Sequence, residues 1–133
     1  ALGHGLPRRE LGVSPQHRVL LSDWRAELMF GEHEVLVPAK SLVDDLTVHV
    51  ERSDDPVEYF HLLFDRHEVI FTEGAPTESF HPACYAVGEL GDAARVELHK
   101  LFPDLFLDDA HYGDTARLSL RPWEGELCRA TAA

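Results

Sequence analysis

The chain is short of cysteine, of basic charge and of long apolar runs, and each shortage excludes something. Two cysteines, Cys84 and Cys128, in 133 residues are too few for a disulfide framework. A single bridge between them is compatible with the sequence, so the redox compartment stays open. Lys and Arg total 12 against 24 Asp and Glu, a formal net charge of -12, and the basic residues do not cluster beyond Arg8-Arg9. That balance argues against a nucleic-acid or anionic-membrane partner, which needs a basic patch. No apolar run approaches the ~20 residues needed to cross a bilayer. The first ten residues, ALGHGLPRRE, carry a basic pair but no apolar stretch after it, so they do not read as a signal peptide. They also lack an initiator Met, and the chain is expected to be a piece of something longer. There is no G-x-S-x-G, no Gly-rich phosphate loop, and no H-x-x-x-H or C-x-x-C pair.

What is present is an ordinary globular composition, 44% hydrophobic, in a length suited to one domain. Residues 1–13 read as an irregular lead-in, with Gly3, Gly5, Pro7 and Gly12 discouraging regular structure. Ser14-Pro15 starts a turn and Arg18–Leu21 is a short strand. Glu27–Phe30 and Glu34–Val37 read as a hairpin joined through Gly31-Glu32, because Gly first in a two-residue loop suits a type II′ turn. Pro38 ends that strand, Ala39–Val43 is one helical turn, and Asp44-Asp45 turns the chain. LTVHVE, Leu46–Glu51, alternates apolar and polar residues as a half-buried strand does. Val57–Phe71 reads as two antiparallel strands around Asp65-Arg66, ended by Gly74 and Pro76. Asp92 is a suitable N-cap for AARVELHKLF, which Pro103 stops. Pro122 opens a last helix through Leu127.

Nine histidines are many for this length, and histidine both titrates near neutrality and binds metals. Ser14 stands three places before His17 at a strand entrance. An imidazole there can donate a proton to a leaving amide nitrogen while the hydroxyl fixes the turn. The plainer reading is a Ser-Pro turn beside a surface histidine, and S-x-x-H is too short to decide between them. His61 and His67 flank Asp65-Arg66. A three-residue loop puts them on one face and a two-residue loop on opposite faces. The histidines are too scattered for the usual zinc spacings, so no metal ligand set is assigned. Ser79 and Cys84 lie near His81, but neighbours on an extended chain rarely point at each other.

Three blocks, LGHGLPRRELGVSPQHRVLL, FGEHEVLVPAKSLV and YFHLLFDRHEVIFTEGAPTESFHP, together resemble bacterial Hint domains, the fold shared by Hedgehog autoprocessing domains and inteins. The resemblance is to the branch found as a single domain in bacterial proteins, often beside secreted calcium-binding repeats. It implies a mainly β, Hint-type fold with C-terminal helices, a single domain over 1–133 with a β-rich body over about 14–80 and a helical appendage over about 90–131. SPQH matches the family's T-x-x-H motif, with Ser14 in place of Thr, and His17 becomes the histidine that assists an N-to-S acyl shift. HLLFDRHEVIFTEG resembles the penultimate motif, its usual aspartate position falling on His61 and its histidine on His67. The terminal His-Asn pair falls on Glu78-Ser79.

The departures carry equal weight. The family's nucleophilic cysteine opens the domain, as Cys-Phe before a Gly-Thr turn, and neither Cys84 nor Cys128 matches it. The chain contains no Asn at all, so the Asn cyclisation of inteins has nothing to act through. The resemblance therefore implies a partial domain lacking its N-terminal half and inert alone. Its partner would be that missing half, within a larger, secreted or cell-surface bacterial parent. No cofactor, metal, nucleic acid or membrane is implied. A Hint-fold interaction module without chemistry and a small metal-dependent hydrolase are the alternatives.

Overall fold

The computed structural model describes residues 5–82, 91–103 and 112–129. The backbone groups into two units. The first comprises Ala1–Phe60, Val69–Glu78 and Ala116–Ala133, and the second His61–Glu68 and Ser79–Thr115.

The first unit holds a mixed five-stranded sheet. Its strands are β1 (Arg18–Leu21), β2 (Val35–Pro38), β3 (Val69–Thr72), β4 (Ala75–Glu78) and β5 (Leu118–Ser119), in the order β3-β4-β1-β2-β5. β1 and β2 pair antiparallel, Val19 opposite Val37 and Leu21 opposite Val35. β5 lies parallel to β2. The unbroken apolar run of β2 has the composition of a central strand covered on both faces, and Val35, Leu36 and Val37 are fully buried. Burying each such side chain is worth about 1.5–3 kcal/mol. On the face of Val35 and Val37 the core is completed by Ala26, Leu120 and Cys128. With β3, β4 and two helices built around this sheet, the expected mainly β fold with a C-terminal helix is present.

Arg18–Leu21, the strand at Val35 and the helical turn after Pro38 stand where the sequence placed them, the last as a 3-10 turn over Ala39–Leu42. Three expectations do not. Glu27–Phe30 is not a strand but the end of helix α1, Trp24–Phe30. Asp23 caps it, its side chain accepting from the amides of Arg25 (2.8 Å) and Ala26 (3.4 Å). Ala, Glu, Leu and Met then favour the helix. Gly31 ends it in the left-handed region at φ 73, donating to the Glu27 carbonyl, so this glycine is a helix C-cap and not a hairpin corner.

LTVHVE is not a strand either. The Asp44 carboxylate accepts the amides of Leu46, Thr47 and Val48, and the Thr47 hydroxyl. Those amides are the groups a strand would offer to a neighbour. These bonds, that from Thr47 above all, hold the Asp44 carboxyl well below the usual carboxylate range. Leu46 and Val50 stay exposed.

The third difference is the position of the hairpin. Its turn is at Glu73-Gly74, with Thr72 opposite Ala75, and not at Asp65-Arg66. Both turn residues have positive φ, 50 and 80, as a type I′ turn requires. Gly74 suits that geometry, and Asp65-Arg66 offers no glycine. Residues 57–64 form no regular strand.

In the second unit, helix α2 spans Asp92–Leu101 and buries none of its residues. Gly91 is its N-cap, so Asp92 sits one place later than expected, in the first turn, where its charge still suits the helix dipole. Helix α3, Pro122–Arg129, belongs to the first unit and runs two residues beyond Leu127. Pro122 occupies its first position, and Glu124 reaches back to accept the Arg121 amide at 2.7 Å, half of a capping box. Ser41 in the 3-10 turn donates to the Pro122 carbonyl at 2.8 Å.

Candidate functional site

The Ser14–His17 stretch is a closed turn. The His17 amide donates to the Ser14 carbonyl at 3.0 Å, with Pro15 at the position where its fixed φ helps. The turn then docks on the 3-10 segment. The Ala39 amide donates to the His17 carbonyl (2.8 Å) and the Lys40 amide to the Pro15 carbonyl (3.0 Å). Pro38 directs the chain into that position, because it closes β2 and exposes the first amides of the turn that follows. Ser14 and His17 are both half-buried.

Glu78, the last residue of β4, comes to the same place from 60 positions away. Its side chain is 1% exposed. One oxygen accepts the Arg18 backbone amide at 2.9 Å, and the other lies 3.5 Å from the Arg18 guanidinium. A buried carboxylate is tolerable only when it is paired and hydrogen-bonded, and Arg18 supplies both contacts. The structure thus brings Ser14, His17 and Glu78 together around the His17–Arg18 peptide. Arg18 is the participant that sequence reasoning missed. Nothing local in RVLL marks it, since its partner is distant in the chain.

His61, His67 and Ser79 belong to the second unit and form a different group. Ser79 is buried, and its backbone amide donates to the Glu68 carbonyl at 2.8 Å. Its hydroxyl accepts the Glu68 amide at 2.9 Å. Its carbonyl lies 3.1 Å from His67 Nε2, and a carbonyl only accepts, so His67 carries its proton on Nε2. His67 is buried and packs edge-on against His81, with ring centroids 5.1 Å apart. His81 in turn packs edge-on against Tyr112 at 5.0 Å and bonds the Gly113 carbonyl through Nε2. The Tyr112 hydroxyl faces the carbonyls of Phe64 (3.0 Å) and Phe80 (3.3 Å). Burial pushes the Tyr112 phenol up, partly opposed by the bond to the Phe64 carbonyl. His61 is exposed and leans on the Phe80 ring at 4.7 Å. No strand ladder links the segments of His61 and His67, so the question of a shared face has no register to settle it.

Tyr112 was not visible as a site residue. Its one sequence signal is an aromatic with a polar tip between glycine and aspartates. Among the described residues, no three His, Cys, Asp or Glu side chains group so as to hold a metal ion. Cys128 is a buried thiol on α3, and burial raises its pKa. Cys84 lies outside the described residues.

Chemically, the first group offers an imidazole on a fixed turn, next to a peptide held by a buried ion pair. The second offers buried hydrogen bonds that order a histidine and a serine. A family model described as Hint domain matches residues 1–84. That span includes all six candidate residues, from Ser14 to Ser79. No curated protein and no solved structure matches the chain.

Proposed function

The chain belongs to the Hint domain family, and we propose from that premise that it is part of an autoprocessing domain that cleaves an upstream peptide bond of its own polypeptide. The observation that carries this reading is the Ser14–His17 turn, tied by three backbone hydrogen bonds at the entrance of β1. Two involve His17's own amide and carbonyl, and the third joins the Pro15 carbonyl to the Lys40 amide.

In this reading a cysteine supplied from outside these 133 residues loses its thiol proton to solvent and, as the thiolate, attacks the carbonyl of the peptide bond before it. A carbon–sulfur bond forms and the carbon–nitrogen bond breaks. His17, protonated, gives its proton to the departing nitrogen, which becomes the free amine of that cysteine. Protonation of the leaving nitrogen is what makes an amide breakable near neutral pH. The thioester then yields to water or to another nucleophile. Ser14 holds the turn. His67 and Ser79 order the second unit, with His61 at its surface. The partners of the chain are the upstream segment carrying the cysteine and the flanking domains of the longer protein.

The test is to join or add the upstream segment and follow cleavage by mass spectrometry, with and without a small thiol. Cleavage N-terminal to its cysteine is expected. General acid catalysis contributes about 10²–10⁴-fold, so His17→Ala should slow it by that order. Cleavage unchanged by His17→Ala would sink the assigned role, and no cleavage with the cysteine present would sink the reading itself.

A further inference from the structure

We propose that Glu78 is the positioning residue for His17, acting through the Arg18 peptide. This rests on the reading of His17 as the proton donor. β1 and β4 are joined by a single residue pair, Val19 with Thr77. Continuing that antiparallel register places Arg18 opposite Glu78. There the strand ladder stops, and the Glu78 side chain takes the Arg18 amide at 2.9 Å in place of a backbone carbonyl. The same carboxylate faces the Arg18 guanidinium at 3.5 Å. Residue 18 is therefore gripped by main chain and side chain at once, one position after the imidazole.

Two of the holds on His17 are backbone to backbone: its amide to Ser14 and its carbonyl to Ala39. Those bonds fix the turn but would survive almost any side-chain change. Glu78 is the side chain that ties the next peptide and so sets the plane from which the His17 Cα–Cβ bond projects. A charged acceptor makes a shorter and stronger bond than a neutral one, and burial keeps water from competing for it. In this scheme the contribution of Glu78 is alignment, and misplacement of a catalytic group by about 1 Å can cost ~10²-fold in rate.

The experiment has two arms. In the polypeptide carrying the upstream cysteine, Glu78→Ala should slow thiol-dependent cleavage by about ten- to a hundredfold. Glu78→Gln keeps an acceptor for the Arg18 amide and should restore the rate to within about threefold of wild type. In a His17→Ala background Glu78→Ala should add nothing, because the two residues act as a unit. Equal slowing by Glu78→Ala in both backgrounds overturns the proposal. The second arm needs no cleavage. In the 133-residue protein, NMR relaxation of the His17 ring should show a mobilised imidazole in Glu78→Ala and an ordered one in Glu78→Gln. A ring equally ordered in both variants overturns the proposal. Should Glu78→Ala fail to fold, an amide-to-ester replacement at residue 18 removes only the donor, and the same loss of ring order is expected. A wild-type chain that never cleaves, but whose His17 ring order still depends on Glu78, counts against the autoprocessing reading and for the positioning link.

Discussion

Replacing Gly125 by Ala tests how the C-terminal helix braces the turn that carries His17. Gly125 is buried in α3, where the helix crosses β2 and the 3-10 turn. A Cβ there would stand 2.7 Å from Val37 Cγ1, 2.8 Å from Ser41 Cβ and 3.0 Å from Ser41 Oγ. Carbon atoms prefer about 3.5–4.0 Å, so the overlap is close to 1 Å on two sides. Val37 is β-branched and fully buried, and Ser41 Cβ moves only with its backbone. Overpacking of this kind costs about 1–3 kcal/mol, towards the upper end where neither neighbour can swing away. Ala regains ~0.8–1.0 kcal/mol of helix propensity over Gly. The clash wins, with a net loss of about 1–2 kcal/mol. With ~2.1 cal/mol/K of unfolding entropy per residue, that is a drop in Tm of about 4–7 °C.

The assay is urea unfolding followed by circular dichroism, with Gly12→Ala as control. Gly12 has nothing within 4 Å of a built Cβ and no positive φ, so its replacement should leave stability unchanged or slightly raised. A Gly125→Ala, Val37→Ala double variant should lose less than the two single variants together, because Val37→Ala removes one of the clashing atoms. A Gly125→Ala protein as stable as wild type, or strict additivity in that cycle, would refute the packing argument. If the proposed autoprocessing is tested with an added upstream cysteine segment, the variant should also slow that cleavage. Ser41 belongs to the segment whose Ala39 and Lys40 amides hold the Ser14–His17 turn.

Three further outcomes are expected. Asp23→Ala removes the α1 cap and should cost about 1 kcal/mol in the same urea assay; no change would mean that the cap is replaced by water. Cys128, its thiol pushed up by burial with Asp23 adding to the effect, should alkylate slowly at pH 8 in the folded protein and rapidly in urea, read on the Cys128 peptide by mass spectrometry. Equal rates in both states would contradict its burial. The raised Tyr112 phenol favours the neutral, folded form, so its contribution is intact below the ordinary tyrosine range, about pH 10, and is lost as pH rises through the folded value. Tyr112→Phe should cost about 1 kcal/mol at neutral pH and be less sensitive to alkali than wild type, whereas parallel stability curves would refute the assignment.

The sequence disclosed those parts of the fold whose signal is complete within a few residues. Arg18–Leu21 and the run at Val35 are short apolar stretches bounded by turn residues, and the structure keeps both. Pro122 fixed the start of α3 because a proline at a first helical position needs no amide partner. Where the signal was shared between two structures, the reading failed. Gly31 serves a helix C-cap as well as a hairpin corner, and only the Asp23 cap eight residues earlier decides between them. LTVHVE has strand alternation, but alternation states which face could be buried and supplies no neighbouring strand. Asp44 then consumes the amides that pairing would need. The hairpin shifted because a type I′ turn asks for positive φ at two consecutive residues, and Glu73-Gly74 meets that demand more cheaply than Asp65-Arg66.

The site shows the same limit at longer range. SPQH was legible as a turn because its bonds are local, the His17 amide reaching only to Ser14. The hold on the following peptide was not legible, because the carboxylate comes from Glu78. The family match, residues 1–84, contains both ends of that contact but not everything that supports it. Leu120 and Cys128 complete the core against Val35 and Val37, and Ser41 is tied to the Pro122 carbonyl. All three supports come from residues beyond the match. Without them β2 would expose Val35 and Val37, and the 3-10 turn would lose its brace while still carrying the amides that hold His17. The candidate residues therefore lie inside the matched span, and the rigidity of the turn that carries His17 depends in part on a helix outside it.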